Sequence, residues 1–180
     1  MRNQIFLFSF LLLGLFQLQA QEKLEWTEEK LTWKDFEAKP NHQSQFLANT
    51  NSGFSYTWGF GMQASKPIFT YEVHAYFYPE QSWVKKGKET PTLLAHEQLH
   101  FDISELYARK MRKWLSAFQP KTINEAKVEL KKIHTQVEAE RVKMQKAYDK
   151  ETNHGVLPEE QKRWQKEVNQ ALELLAEFSS

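Results

Sequence analysis

Between Pro91 and Pro120 the chain carries no glycine and no further proline. That is an uninterrupted stretch long enough for a helix that can organise a fold of this size. Thr90 offers an N-cap and Pro91 fills the first helical position, where a missing N–H costs nothing. The spacing of Leu99, Ile103, Leu106 and Trp114 gives this helix an inward face. His96 and His100 lie on or beside that same face. Four residues apart, they point within roughly 40° of one another and can chelate one ion. With Glu97 between them they form the H-E-x-x-H pattern His96-Glu97-Gln98-Leu99-His100, in which two imidazoles bind zinc and the glutamate is the general base. The competing reading is a pair of hydrogen-bonded core histidines.

The rest of the chain limits what surrounds this helix. A length of 180 residues with 41% hydrophobic content supports one good core, and a formal charge of +1 leaves no basic surplus for nucleic acid. Residues 1–20 read as a secretory signal. Arg2 precedes the apolar run Ile5 to Phe16, and Leu18 and Ala20 stand where a signal peptidase inspects the chain. The run is short for a membrane span and lacks a stop-transfer flank, so no stable span is expected after cleavage. Residues 21–180 then form a single domain. Removing Arg2 from the 24 basic residues leaves 23 against 23 acidic ones, a neutral mature chain. There is no cysteine, so any metal site uses histidine and carboxylate. The expected compartment is periplasmic or extracellular.

Upstream of the helix the pattern is β-rich. Leu31-Thr32-Trp33 reads as a short extended piece ending in a turn, and Asn49 to Gly53 is a dense turn signal. Phe54 to Trp58 alternates with period two, and in Phe69 to Tyr78 the residues Tyr71, Val73, Ala75 and Phe77 fall on one face. The isolated His42 and His74 have no chelating neighbours at these spacings and read as solvated or hydrogen-bonded.

Downstream, Thr122 with Glu125 starts a second helix as a capping box. Its apolar stripe runs Ile123, Ala126, Leu130, Ile133, Val137, Met144 and Ala147, interrupted by Glu140. His134 beside it reads as a boundary residue. Glu151 to Gly155 is a turn, and a third helix opens at Pro158. The predicted class is therefore α+β: an antiparallel β-rich N-terminal half, then three long helices with the histidine pair on the first.

A catalytic zinc takes three protein ligands and keeps one position for water. The metzincin arrangement is excluded, because Ile103 and Leu106 stand where it needs glycine and histidine. Asp102 and Glu105 point away around the helix. An antiparallel partner helix would bring residue 139 or so opposite His100, which favours Glu140 as third ligand and leaves His154, in the turn beyond, as the alternative.

Leu31-Thr32-Trp33-Lys34-Asp35-Phe36, Ala48-Asn49-Thr50 with Ser52-Gly53, Ser82-Trp83-Val84, the block Leu94 to Asp102, and the block Tyr148 to Gly155 followed by Gln161 and Trp164 resemble the DUF922 group of predicted secreted zinc-dependent proteases. The resemblance covers nearly the whole mature chain. It implies a zincin-like peptidase acting on peptide substrates, with Zn²⁺ held by His96, His100 and His154, and Glu97 as general base. Tyr148, close to His154, is a candidate for stabilising the oxyanion. The strand Phe69 to Tyr78 is a candidate edge for an extended peptide. The alternative of another class is a non-catalytic exported binding or envelope protein that keeps the fold.

Overall fold

The computed structural model describes residues 23–180. The signal sequence expected at 1–20 lies outside them. Five strands and three long helices follow in order: β1 (Leu24–Glu25), β2 (Ala48–Asn49), β3 (Ser52–Gln63), β4 (Lys66–Phe77), β5 (Trp83–Val84), α1 (Pro91–Ser116), α2 (Ile123–Thr152) and α3 (Pro158–Glu173). The expected class is what is found: an antiparallel β-rich half followed by three helices.

The main sheet has the order β1-β4-β3, all antiparallel. β3 and β4 form a long hairpin in register from Ser52 opposite Phe77 to Gln63 opposite Lys66. Its turn, Ala64-Ser65, has both residues at positive φ, 47° and 66°. A two-residue hairpin turn of that hand matches the twist of its strands, but glycine or asparagine normally occupies it. Here the long ladder holds two residues that would not choose that conformation. The hairpin therefore left little trace in the sequence. The alternation read in β4 is real: Val73, Ala75 and Phe77 are buried on one face. Trp33–Asp35 is a 3-10 turn rather than an extended piece, because Asp35 accepts from the Thr32 N–H at 2.6 Å and closes the chain locally.

β2 and β5 form a separate two-stranded ladder, with Ala48 opposite Val84. This small ribbon runs beside the helices and supplies one wall of the site.

α1 is the centre of the molecule. Its start is capped as expected, the Leu93 N–H bonding the Thr90 hydroxyl at 3.2 Å. It packs on the sheet along one side and on α2 and α3 along others, so residues 101–109 are buried without interruption. Leu99, Ile103, Leu106, Met111 and Leu115 carry the apolar contacts, with Phe54, Val73, Ala75 and Phe77 opposite. Asp102 and Glu105 do turn away from the histidine face, but into protein rather than solvent. The reason is that α1 is covered on several sides. Asp102 accepts from the Trp26 indole and the Gln98 amide, each at 2.8 Å. Glu105 is fully buried and holds the Arg109 Nε at 2.8 Å and the Arg112 Nη1 at 2.9 Å. The same two arginines bond the carbonyls of Leu172, Val73 and Phe178. A buried charge cluster thus ties α1 to α3, the sheet and the C-terminal turn, with one carboxylate shared by two guanidiniums and backbone carbonyls taking further donors.

Among the described residues, no helix is long and apolar enough to cross a membrane.

Candidate metal centre

His96 and His100 stand one turn apart on α1, in a stretch with good helix formers and no break. Their rings are 4.8 Å apart at 86°. Each is fixed from behind. The His100 Nδ1 bonds the Gln145 Oε1, and the Gln145 Nε2 donates to the His100 carbonyl at 2.8 Å, so one amide reads both the ring and the backbone of that residue. The His96 Nδ1 faces the Gln161 Oε1 at 3.1 Å, and the buried Tyr148 hydroxyl donates to that same oxygen at 2.7 Å. With both Nδ1 atoms donating to amide oxygens, the lone pair of each imidazole is left on Nε2.

Those lone pairs converge. The two Nε2 atoms are 3.3 Å apart, and Asp149 Oδ1 lies 3.3 Å from that of His96 and 3.0 Å from that of His100. Three acceptor atoms cannot face one another at this distance without a positive species among them. Zinc with bonds of about 2.0–2.1 Å at tetrahedral angles sets its ligand atoms roughly 3.3 Å apart, so the spacing fits that ion without rearrangement. Among the described residues, His96, His100 and Asp149 are the group whose donor atoms could hold a metal.

The electrostatics agree with the geometry. Burial works against the Asp149 carboxylate, but hydrogen bonds to His100 and His96 overcome it and hold the group well below the usual carboxylate range. Burial likewise would lower the His100 imidazole, yet the Asp149 hydrogen bond and the charge of Glu97 raise it above the ordinary histidine value.

Asp149 was not anticipated. The expected register placed residue 139 opposite His100, and the observed partner is Gln145. The pairing lies about six residues nearer the C-terminus of α2 than a symmetric hairpin would give, which brings Asp149, one turn beyond Gln145, against both rings. Glu140 is correspondingly carried away from the site. It is exposed and accepts from Gln136 at 3.1 Å. The available signal was the four-residue spacing of Gln145 and Asp149, which puts an amide and a carboxylate on one face of α2.

His154 stands at the rim rather than in the triangle. Asn153 and His154 both adopt left-handed backbone, φ 48° and 54°, and this turn lays the imidazole on the Phe46 ring at 4.5 Å. Its Nδ1 is 3.4 Å from Asp149 Oδ1, and its side chain is 43% exposed. Tyr148 faces away from the cleft. It is fully buried, stacks on His96 at 4.7 Å, and its hydroxyl is taken by Gln161 with the His96 carbonyl at 3.2 Å. Burial pushes its phenol far above the ordinary tyrosine range. Its contacts are with His96 and Gln161, and it is not among the residues that line the cleft. Gly155 closes the turn at φ 78°, and a Cβ there would come within 2.9 Å of the His96 Cγ.

The triangle opens into a cleft of about 560 Å³. One wall is residues 45–50 and Ser52, and the other is made by α1, α2 and the turn at Asn153 to Val156. Glu97 lines it, and its carboxylate has no hydrogen-bond or ion-pair partner among the described residues. The Thr50 hydroxyl bonds the Glu97 carbonyl at 3.2 Å, tying this turn of α1 to the strand wall. The strand Phe69 to Tyr78, expected as a peptide edge, is not part of the cleft; β2 is.

No curated protein and no solved structure matches the chain. The stretch from residue 27 to residue 155 does match a family, and it begins just before the turn at Trp33 and ends on the glycine packed against His96. It takes in both histidines, Glu97, Gln145 and Asp149, and on that match the chain belongs to the family described as bacterial protein of unknown function, DUF922.

Proposed function

We propose that the protein is an exported zinc-dependent peptidase whose metal is held by His96, His100 and Asp149. The observation that carries this reading is the convergence of three acceptor atoms at 3.0–3.3 Å on the wall of a cleft that also contains an unpaired buried carboxylate. Zinc bound there supplies Lewis-acid chemistry, polarising a carbonyl and acidifying water.

The chain's own groups account for the remaining requirements of peptide hydrolysis. Gln145 and Gln161 fix both imidazoles with Nε2 toward the cleft, so the ligand set is formed before any ion arrives. Glu97, buried but open to the cleft, is placed to take a proton from a water molecule there and to deliver it to the departing amine. The charge of Glu97 is kept available because nothing else claims it. The order of elements, a sheet followed by a ligand-bearing helix, supports a zincin-like arrangement, and the apolar segment at 5–16 supports export.

The test has two stages. Protein purified without added zinc should contain about one equivalent of metal, which His100→Ala and Asp149→Asn remove. Zinc-loaded wild type should cleave an unbiased peptide library, and Glu97→Gln should lose at least a hundredfold in rate while retaining metal. Equal rates for wild type and Glu97→Gln would remove the general base. Metal without cleavage of any peptide would favour the exported binding protein.

A further inference from the structure

The cleft is polarised from end to end, and the geometry points to a substrate polarised the same way: a polypeptide with apolar side chains on one side of the reacting bond and a carboxylate on the other. The inference rests on the peptidase reading above and names its substrate class.

The two ends can be located from the helices. Along α2, Arg141, Gln145 and Asp149 are successive turns of one face, so Arg141 lies about 12 Å from Asp149. His154 lies beyond Asp149 in the opposite direction. The strand wall runs parallel to this axis. Its Phe46 packs on His154, while its Ser52 carbonyl accepts from Arg141 Nη1 at 3.3 Å. From Phe46 to Ser52 an extended chain covers about 20 Å, room for a peptide of four to six residues. The metal triangle and Glu97 sit between the two ends.

One end is apolar. Leu47 is 44% exposed and Val156 66%, and both line the cleft with Phe46 and Leu93. Of the nine large apolar residues exposed among the described residues, four, Phe46, Leu47, Val156 and Leu157, belong to the two segments that meet at this end. Exposed apolar groups concentrated at the mouth of a cleft mark a binding surface. They fit leucine-like or aromatic side chains.

The other end offers a guanidinium edge. Arg141 is the only lysine or arginine among the described residues that line the cleft. Glu138, which does not line it, holds the Nε at 2.8 Å and the Nη2 at 2.6 Å. The Nη1 makes only long contacts, 3.3 Å to the Ser52 carbonyl and 3.4 Å to the Ser104 hydroxyl. Bonds of that length are weak, and a carboxylate can replace them with a shorter, charge-assisted pair. The carboxylate could come from an acidic side chain or from a chain terminus, and the test separates the two.

The probe is a set of fluorescein-labelled octapeptides binding to zinc-loaded Glu97→Gln, read by anisotropy, with cleavage by zinc-loaded wild type measured on the same sequences. One series carries Leu-Leu in one half, in either order along the chain, and a matched series carries Ser-Ser there. The other half carries Asp-Asp, Asn-Asn, or a neutral sequence ending in a free carboxylate or an amide. The expected result is that a carboxylate-bearing member binds about tenfold more tightly than its amide counterpart. Preference for Asp-Asp over Asn-Asn identifies a side-chain site, and preference for free acid over amide a terminal one. In Arg141→Gln, or in Arg141→Met, which keeps the aliphatic stem, that ratio should fall to about one. Leu47→Ser with Val156→Ser should weaken Leu-Leu peptides relative to Ser-Ser peptides by about tenfold. Cleavage or binding with equal affinity for acid and amide peptides, or an acid preference that survives both Arg141 variants, overturns the inference and leaves the peptidase reading intact. Peptides that are bound by neither protein and cut by neither would overturn the peptidase reading itself.

Discussion

Replacing Gly155 by alanine tests whether the turn after α2 holds His96 in place. Two costs arise and can be measured separately. Alanine at φ 78° sits in the left-handed region, which costs about 1–2 kcal/mol, partly offset by the stiffer unfolded chain at about 0.4–1 kcal/mol. The new Cβ would also stand 2.9 Å from His96 Cγ, 3.0 Å from its Cβ and 3.2 Å from its Nδ1. Ordinary contact begins near 3.4 Å, so the ring or the turn must yield by about half an ångström. The ring has nowhere to go, since Tyr148 stacks on it and Gln161 holds its Nδ1. Overpacking of this kind costs about 1–3 kcal/mol. Gly87 provides the control, because it has the same φ of 78° and nothing within 4 Å of the added Cβ. Gly87→Ala should lose about 1 kcal/mol and Gly155→Ala about 2–4 kcal/mol, roughly 5–15 °C in melting temperature for a chain of this size. Zinc affinity, measured by competition with a chelator, should fall at least tenfold in Gly155→Ala and stay unchanged in Gly87→Ala. Equal losses at the two glycines would refute the contact with His96. A destabilised Gly155→Ala with full zinc affinity would refute its role in setting the ligand.

Three further outcomes follow from the same structure. Gln145→Leu removes the acceptor that fixes the His100 ring and should cost ten- to a hundredfold in zinc affinity with helicity retained by circular dichroism, whereas Glu140→Gln should leave affinity unchanged. Glu105→Gln leaves two buried arginines without their counter-ion and should cost about 3–5 kcal/mol in denaturant unfolding with little effect on the metal site. In metal-free protein the raised His100 binds its proton more tightly folded than unfolded, so the stability it contributes is complete below its ordinary value of 6.5 and drains away as pH rises through the raised value. Asp149, depressed on folding, contributes throughout that range and fails only in acid, below its ordinary 3.8. Melting temperatures from pH 5 to 9 should therefore fall with pH for metal-free protein and not for zinc-loaded protein.

The elements that were legible in the sequence are those whose signals are local. Thr90 and Pro91 announce α1, the spacing of Ala126, Leu130, Ile133 and Val137 announces the inward face of α2, and the alternation Val73, Ala75, Phe77 announces β4. The histidine pair is local too, since one helical turn sets it. The third group was not legible, because Asp149 meets the pair only through the register of two helices, which no local signal sets. The resemblance pointed to the block Tyr148 to Gly155, within which side-chain direction separates Asp149 in the triangle from His154 at the rim. The turn at Ala64-Ser65 was hidden for a different reason: long-range pairing imposes a conformation that its residues do not favour.

The burial of α1 on several sides has a consequence for exchange. Amide hydrogens from about Leu99 to Arg109 sit in the best-protected part of the core and should exchange only when the whole domain unfolds. Asp149, by contrast, lies three residues from the end of α2, where the helix passes into the left-handed turn at Asn153 and His154. The two histidines therefore belong to the best-protected element and the carboxylate to a helix end, where backbone opens first. Because the triangle already faces the cleft, an ion would reach it without any opening of the fold, and two of its three ligands would keep their places while the helix end frays.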